Sequence, residues 1–593
     1  MGISAHSRWG PPLEQYVLRY NKAFVHCREV VNDDTMYSAQ QCMQSIATLS
    51  KEADDIKFDL LAKKVTLEML RCLFLLSLSG QGILYLAQPP LIRGCIKLMT
   101  TITVDGMISP FSYEYGYLCF NIAKTALGVC LLDKFNEQWV TDLMEQIRAN
   151  YLTKDNPSIL TDFLSLRFVT EGRKSSLPTK VRFDWIFGWA EPPAHCGRSE
   201  LLVFESDVLV LMNVLWEDRK SFLKSLLSTY TPGTSIISML IWQYMIRNGE
   251  LSKPLPRTSL LELFLDLTWR FALAATPSDY GLIADPTHGT IVHLGNLARS
   301  VVDVEDSRAV VTAYIKGIPF GEDMGLYRET AIRLYPHLFH FVIVNAIPGT
   351  EDLFPPLVGS MLSRTWEMIS WAWEGMKPTV GILCLCFQDL RYIIQNHIRR
   401  PVQSQVIQAL RDETVKHDIL GLAGSAINLL IPNGQEEALR GKAYCTEVSK
   451  IITSVLSIIV KLGQASSSSI IHSYFYDYQA EWVKHLQYND ILMQMAGNSE
   501  AAKSCAKFRR DLLWDVIKLV GSGDDVKKCL DSRRRLACSY ARCPNPSWVG
   551  YVQLCCSSCT ILPERANYCS PRCQVLDWTC EGKSHKELCP RSD

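Results

Sequence analysis

The C-terminal end of the chain concentrates residue types that bind metal ions. Nine of the 21 cysteines fall within 52 residues there, whereas the other 12 are spread over the first 537 residues. The cytosol keeps thiols reduced, so a dense cysteine cluster in an intracellular protein indicates a metal site rather than a disulfide framework. The nine are Cys538, Cys543, Cys555, Cys556, Cys559, Cys569, Cys573, Cys580 and Cys589.

Eight potential ligands form four closely spaced pairs. A tight turn or a single helical turn brings both members of such a pair to one side, and two pairs complete a tetrahedron. The pairs are Cys538 with Cys543, Cys556 with Cys559, Cys569 with Cys573, and His585 with Cys589. Seven thiolates and one imidazole favour zinc over the hard cations that prefer oxygen. We therefore predict two zinc ions in closed, structural sites, with no position left for a catalytic water.

The residues around these ligands resemble a MYND-type zinc finger. The resemblance covers about 52 residues and rests on four runs: Leu554-Cys555-Cys556-Ser557-Ser558-Cys559, Asn567-Tyr568-Cys569-Ser570-Pro571-Arg572-Cys573-Gln574, Asp577-Trp578 and His585-Lys586-Glu587-Leu588-Cys589. In that family the two sites interleave. The resemblance thus implies one ion held by Cys538, Cys543, Cys569 and Cys573 and a second held by Cys556, Cys559, His585 and Cys589. Spacing alone also allows a sequential pairing. The whole chain is similar in layout to uncharacterised fungal proteins that end in such a finger.

The chain departs from the family pattern in three places. The first pair, Cys538 and Cys543, is wider than a CxxC, the loop between the second and third pairs is long, and an insertion containing Cys580 precedes His585. Cys555 and Cys580 therefore stay open as alternative ligands, although Cys556 is favoured over Cys555 because it completes the CxxC.

The finger segment, residues 536–593, contains few large aliphatic side chains. A segment of this size cannot bury enough apolar area to fold alone. Each structural zinc site contributes on the order of 10–16 kcal/mol in small finger peptides, which is enough to reverse that deficit. We expect Tyr568 and Trp578 to pack in the finger's small core, with a binding role as the second interpretation.

Helical periodicity extends from residue 34 to about residue 520. One apolar stripe at spacings of three or four runs from Leu61 to Leu76, and we interpret it as a helix that Gly80 stops. Similar stripes lie in 201–216, 260–273, 379–398, 448–462 and 501–520. Alternation typical of strands is scarce. We predict a mainly α fold with an irregular armadillo/HEAT-like body of stacked helix pairs, and an irregular globular helical domain is the alternative.

Composition breaks divide the chain into four segments. We predict an N-terminal arm over 1–33, the helical body over 34–520, a linker over 521–535 and the zinc finger over 536–593. Within the body, residues 171–200 and 276–293 are rich in proline or glycine and are expected to be loops. The first of these loops carries tryptophans, which we expect to pack on the helices; a partner-binding surface is the alternative.

Several classes of function are disfavoured by the sequence. The 61 basic and 61 acidic side chains balance, which argues against a nucleic-acid coat. No run reaches the ~18 apolar residues that span a bilayer. The N-terminus lacks a secretion signal, so we expect an intracellular protein of the cytoplasm, the nucleus or both. Phosphate loops, HExxH and GxSxG motifs are missing.

We therefore expect a non-enzymatic adaptor that binds proteins or proline-containing peptides. A transcription-related regulator is the alternative. A relative of the SET-type lysine methyltransferases is disfavoured, because the finger is terminal and the Asn-His-Ser-Cys motif is missing.

Overall fold

The structure is a computed structural model. It describes residues 4–21, 31–80, 82–135, 137–150, 155–174, 183–191, 200–250, 259–279, 281–283, 299–317, 328–373, 380–397, 404–429, 449–458, 485–490, 492–494, 496–520, 554–555, 567–568, 571–579, 585 and 589. Almost all the regular structure in these ranges is α-helical, which confirms the mainly α class. The chain divides into two units, Met1–Ile347 and Pro348–Asp593.

The described part of the first unit contains fourteen labelled α-helices, a further helical stretch at 281–283 and one short hairpin. The hairpin pairs β1 (Thr103–Val104) with antiparallel β2 (Met107–Ile108). Its turn uses Asp105 and Gly106, both with positive φ, as a two-residue hairpin requires. The helices are α1 Leu13–Arg19, α2 Asp33–Lys51, α3 Asp55–Lys64, α4 Leu67–Leu78, α5 Pro89–Met99, α6 Glu114–Phe135, α7 Glu137–Asn150, α8 Asn156–Lys174, α9 Glu205–Glu217, α10 Arg219–Ser228, α11 Thr234–Arg247, α12 Ser259–Ala274, α13 Val304–Lys316 and α14 Arg328–Asn345.

Helix α6 is the central helix of the first unit, packed against α4, α5, α7, α8 and α11. Its stretch Glu114–Leu132 is long and apolar enough to cross a membrane, but all of it is buried inside the unit. The buried Lys124 interrupts this stretch and donates to Asn121 Oδ1 at 2.7 Å. Burial lowers the pKa of Lys124 to about 7, against the opposing charges of Asp279 and Asp155. Helix α6 therefore has the surroundings of a core helix.

The stripe from Leu61 to Leu76 forms two helices, so the prediction of one helix is wrong. Helix α3 ends at Lys64 and α4 begins at Leu67. The side chain of Thr66 accepts from the backbone N–H of Met69 and caps α4. A capped N-terminus satisfies a backbone donor that has no partner within the helix, and this favours a new helix over a continued one.

Part of the segment predicted as an N-terminal arm packs into the first unit. Tyr16 in α1 is fully buried, and its hydroxyl donates to Phe111 O at 2.7 Å. Tyr20 donates to the buried carboxylate of Glu114, which also accepts from Arg71 Nε at 2.8 Å. Residues 4–21 thus share the core of the helices that follow.

The prediction of a loop over 171–200 is partly wrong, because residues 171–174 belong to α8 and Asp184–Phe187 form a 3-10 helix. The described aromatic side chains of 183–191 pack on the helices, as expected. Trp189 donates its indole N–H to Val203 O at 2.6 Å. Its ring lies 5.0 Å from the buried Phe187 and 6.4 Å from Tyr244 of α11, measured between centroids. In these residues the tryptophans are packing groups.

A buried ion-pair cluster joins α12 to α13. Arg270 donates to both carboxylate oxygens of Asp306, at 2.8 and 2.9 Å, and to Asp266 Oδ2 at 2.7 Å. Burial alone would lower the pKa of Arg270, but the charges of Asp266 and Asp306 raise it. The guanidinium is therefore held in its charged form inside the core.

Asp218, between α9 and α10, is a buried carboxylate with no cation bonded to it among the described residues. It accepts from Ser109 Oγ at 2.8 Å and from the Phe111 N–H at 2.7 Å. Burial raises the pKa of Asp218 from 3.8 to about 7, and these hydrogen bonds oppose the rise. Folding therefore favours the protonated form of this group.

We expect Asp218 to make the stability of the first unit depend on pH. Because the folded state binds this proton more tightly, its contribution is complete below pH 3.8 and is lost as the pH rises to about 7. Because of this group, the equilibrium constant for unfolding should increase by up to about tenfold for each unit by which the pH rises in this range. Urea unfolding from pH 4.5 to about 7.5 should give a flatter profile for Asp218→Asn; a parallel profile would contradict the prediction.

The described part of the second unit contains seven labelled helices and one strand pair. Helix α15 packs against α16, α17 and α18, and α18 packs against α20. Helices α16, α19 and α20 lie within the stripes predicted at 379–398, 448–462 and 501–520, apart from one residue at the start of α20. The helices are α15 Phe354–Trp373, α16 Val380–His397, α17 Ser404–Lys416, α18 Ile419–Leu429, α19 Ser449–Ile458, α20 Glu500–Val520 and α21 Pro571–Thr579.

A buried histidine fixes the packing of α18 in the second unit. His485 Nδ1 lies 2.8 Å from Asn428 Nδ2, and Asn489 donates to Asn428 Oδ1 at 3.0 Å. A Cβ atom at Gly424 would lie 2.3 Å from His485 Nε2. Glycine at this position therefore lets the imidazole lie against the helix backbone.

Candidate metal centre

Two short strands and one helix are described in the finger segment. Strand β3 (Leu554–Cys555) pairs antiparallel with β4 (Asn567–Tyr568), with Leu554 opposite Tyr568. β3 ends one residue before the predicted ligand Cys556 in the sequence, and β4 ends one residue before Cys569. Helix α21 follows β4 and packs against it.

Helix α21 begins at Pro571, whose fixed φ and missing N–H suit a first helical position. Cys573 is buried one turn before Asp577, which is also buried. Positions four apart share one helix face, so these two side chains lie on the inner side of α21.

Tyr568 connects β4 to the inner face of α21. Its hydroxyl donates to Asp577 Oδ2 at 2.8 Å, and its ring centroid lies 6.2 Å from that of His585. Burial raises the pKa of Asp577; the Tyr568 hydrogen bond and His585 oppose this rise, whereas Cys573 adds to it. The carboxylate, the imidazole and the thiol are thus close enough to influence one another.

Three of the eight predicted zinc ligands belong to the described residues. Cys573 and Cys589 are buried, and His585 is half-buried. The other five predicted ligands lie outside the described residues; they are Cys538, Cys543, Cys556, Cys559 and Cys569. Cys580 also lies outside the described residues. Within the described ranges, no group of three or more His, Cys, Asp or Glu side chains is arranged to hold a metal ion. The two zinc ions and the pairing of their ligands stay predictions.

The described donors fit zinc by their chemistry. Buried thiols and an imidazole match the ligands that closed zinc sites use. The imidazole of His585 lies beside two aromatic rings, with centroid distances of 6.2 Å to Tyr568 and 6.1 Å to Trp578. Such neighbours restrict the orientation of a ligand ring, as the outer shell of a metal site does.

The two aromatic residues of the finger have different surroundings. Tyr568 is 1% exposed, which confirms its expected packing role. Trp578 is 38% exposed, and Val575, three positions earlier on α21, is 59% exposed. The second interpretation of Trp578, as a binding residue, thus gains support. Sequence reasoning did not select Val575, although its spacing of three from Trp578 would place the two on one helix face.

The described residues of the helical body offer no comparable cluster. His337 and His340 are half-buried on α14, among buried apolar side chains. The ring of His337 lies 6.5 Å from that of Trp269. These histidines have the surroundings expected of packing residues, while His288, Asp524 and Asp525 lie outside the described residues.

No family model, curated protein or solved structure matches this chain.

Proposed function

We propose that the protein is a non-enzymatic adaptor whose C-terminal MYND-type finger binds two structural zinc ions and docks partner peptides. The observation that carries the proposal is the two-sided character of α21. Cys573 and Asp577 are buried on one face, whereas Val575 and Trp578 are exposed on the other. A helix of this kind combines a metal-stabilised inner face with an apolar outer face.

The exposed face suits a proline-containing peptide. Such peptides adopt an extended polyproline helix at low entropic cost, and aromatic side chains are the usual surfaces on which they dock. Trp578 offers an indole ring and Val575 an apolar neighbour, both more than one-third exposed. We place this activity inside the cell, in the cytoplasm, the nucleus or both, because the zinc ligands must remain reduced.

Charge supports a protein partner over a nucleic acid. Residues 527–593 carry 11 basic and six acidic side chains, a formal charge of +5. Seven bound thiolates and two Zn²⁺ ions together contribute −3, which lowers the formal charge to about +2. A charge of this size provides little of the phosphate neutralisation on which nucleic-acid affinity depends.

We expect Trp578→Ala to weaken the binding of proline-containing peptides by at least about tenfold while zinc content stays unchanged. Truncating an aromatic anchor of an interface commonly costs about 2 kcal/mol or more. The measurement uses the full-length, zinc-loaded protein on an array of proline-containing peptides, followed by titration of the best binder.

The matched control is Tyr568→Phe, which removes only the hydroxyl that donates to Asp577 and leaves the outer face of α21 unchanged. This variant should keep the peptide affinity. If both variants bound the same peptides equally well, the docking face would lie elsewhere. If a chain without residues 536–593 kept every peptide, recognition would belong to the helical body.

A further inference from the structure

The first unit contains a cavity of about 670 Å³ where α10, α12 and α13 come together. Cavities of ~300–1,000 Å³ are the size of small-molecule sites in proteins. The end of α10, the loop 229–231, the segment 273–277 and one face of α13 line it. All of these described lining residues belong to the first unit.

Short side chains leave this space open. Ala309 and Ala313, one turn apart on α13, line the cavity together with Ala274 and Ala275 at the end of α12. Leu273 and Leu227 complete an apolar wall. The methyl groups of these alanines are too short to fill the gap between the helices, so the gap remains open and its wall presents apolar surface to a ligand.

One side of the cavity is cationic. Arg308, Thr312 and Lys316 follow one another at intervals of four on α13, so they form a single row. Lys224 from α10 also lines the cavity, and among the described lining residues Glu305 supplies the only carboxylate. Lys224 pairs with Glu305, and Lys220 reaches the same carboxylate at 2.7 Å. Three cations and one carboxylate give the described part of the lining a formal charge of +2.

The helix dipoles contribute negative partial charge at the cavity, and this contribution is smaller than that of the cationic side chains. Helices α10, α12 and α13 end at Ser228, Ala274 and Lys316, and a helix C-terminus carries roughly half a negative charge. Lys316 lies in the last turn of α13 and complements that end directly. Partial charges at helix ends are screened within a turn, whereas the row from Arg308 to Lys316 carries whole charges along the wall.

We propose that this cavity binds an amphiphilic organic anion. Its chain or ring would lie against the alanine-lined wall, and its carboxylate or phosphate head would lie at Arg308 and Lys316. Arginine and lysine both pair strongly with such oxyanions, and arginine can do so through two parallel hydrogen bonds. The proposal assigns a ligand site to the helical body, which the docking role of the finger does not require.

The test is calorimetric titration of the full-length, zinc-loaded protein with decanoate and decyl phosphate. We expect saturable binding of at least one of these anions, and much weaker binding of decylammonium, which has the same chain and the opposite charge. The double variant Arg308→Gln/Lys316→Gln should lose about tenfold or more in anion affinity, the usual size of a charge-assisted contact.

Two further variants separate a site from a general charge effect. Lys63→Gln/Lys64→Gln removes two exposed cations from α3 and should leave anion affinity unchanged. Ala309→Leu places a larger side chain in the apolar wall and should weaken binding of the decyl chain. If this variant did not fold, Arg308→Gln/Lys316→Gln would still test the proposal. The proposal fails if neither anion saturates, if decylammonium binds equally well, or if Arg308→Gln/Lys316→Gln keeps full affinity.

Discussion

Cys573→Ser should retain one zinc ion per chain where the unaltered protein holds two. A serine hydroxyl does not replace a thiolate in a closed tetrahedral site, so the ion that depends on this buried side chain is lost. A structural zinc site contributes on the order of 10–16 kcal/mol, and the part of the finger that depends on it should unfold. Elemental analysis of the purified full-length protein measures the ion count, and limited proteolysis detects the unfolding.

The matched control is Cys580→Ser, which removes a thiol of the same segment that is not among the eight assigned ligands. We expect this variant to keep both ions. Loss of zinc from Cys580→Ser would move Cys580 into the ligand set. Fewer than two ions in the unaltered chain would contradict the eight-ligand assignment altogether.

A double variant separates the two pairings that the spacing allows. If the sites interleave, Cys543 and Cys573 bind the same ion, and Cys543→Ser/Cys573→Ser should still hold one zinc. If the pairs are used in sequence order, these two residues belong to different ions, and the double variant should hold none. The same elemental analysis distinguishes these outcomes.

The periodicity of the sequence predicted the helices of this chain well. The stripes at 260–273 and 379–398 correspond to α12 and α16 within one residue at each end. Apolar residues at spacings of three and four are a local signal that burial of one helix face imposes. The break between α3 and α4 was not predicted, because the apolar spacing continues across Thr66 and the sequence alone does not show that its side chain caps a new helix.

Contacts between distant residues were not predictable from one sequence. Arg270 and Asp306 lie 36 residues apart and on different helices, and periodicity carries no information about such a pairing. The exposure of Trp578 was not predicted for a related reason. A tryptophan near cysteine ligands in the sequence is expected to be buried, and only the structure shows which face of α21 it occupies. The cysteine spacing predicted a metal site, and that stays a prediction because five of the eight assigned ligands lie outside the described residues.

Arg270→Met should destabilise the first unit by roughly 3–5 kcal/mol. Arg270 and Asp306 are fully buried, and the Asp266 side chain is 3% exposed. Removing the guanidinium leaves two carboxylates in the core without their cation, and burial already raises the pKa of Asp266. Urea unfolding, followed by a probe in the first unit, measures the loss.

The pH dependence of that loss tests its cause. Burial already raises the pKa of Asp266, and without Arg270 this side chain can stay buried at lower cost by taking up a proton, so the destabilisation should shrink from pH 8 to about pH 5. Adding Asp266→Asn and Asp306→Asn should recover part of the loss at neutral pH. Arg167→Met breaks the partly exposed pair with Asp142, which measures 2.7 Å, and the contacts of its guanidinium with Trp139 and Phe163, and should cost about 1–2 kcal/mol with little dependence on pH. If Arg270→Met and Arg167→Met lowered the free energy of unfolding equally and at every pH, the destabilisation would come from lost side-chain packing and not from uncompensated buried charge.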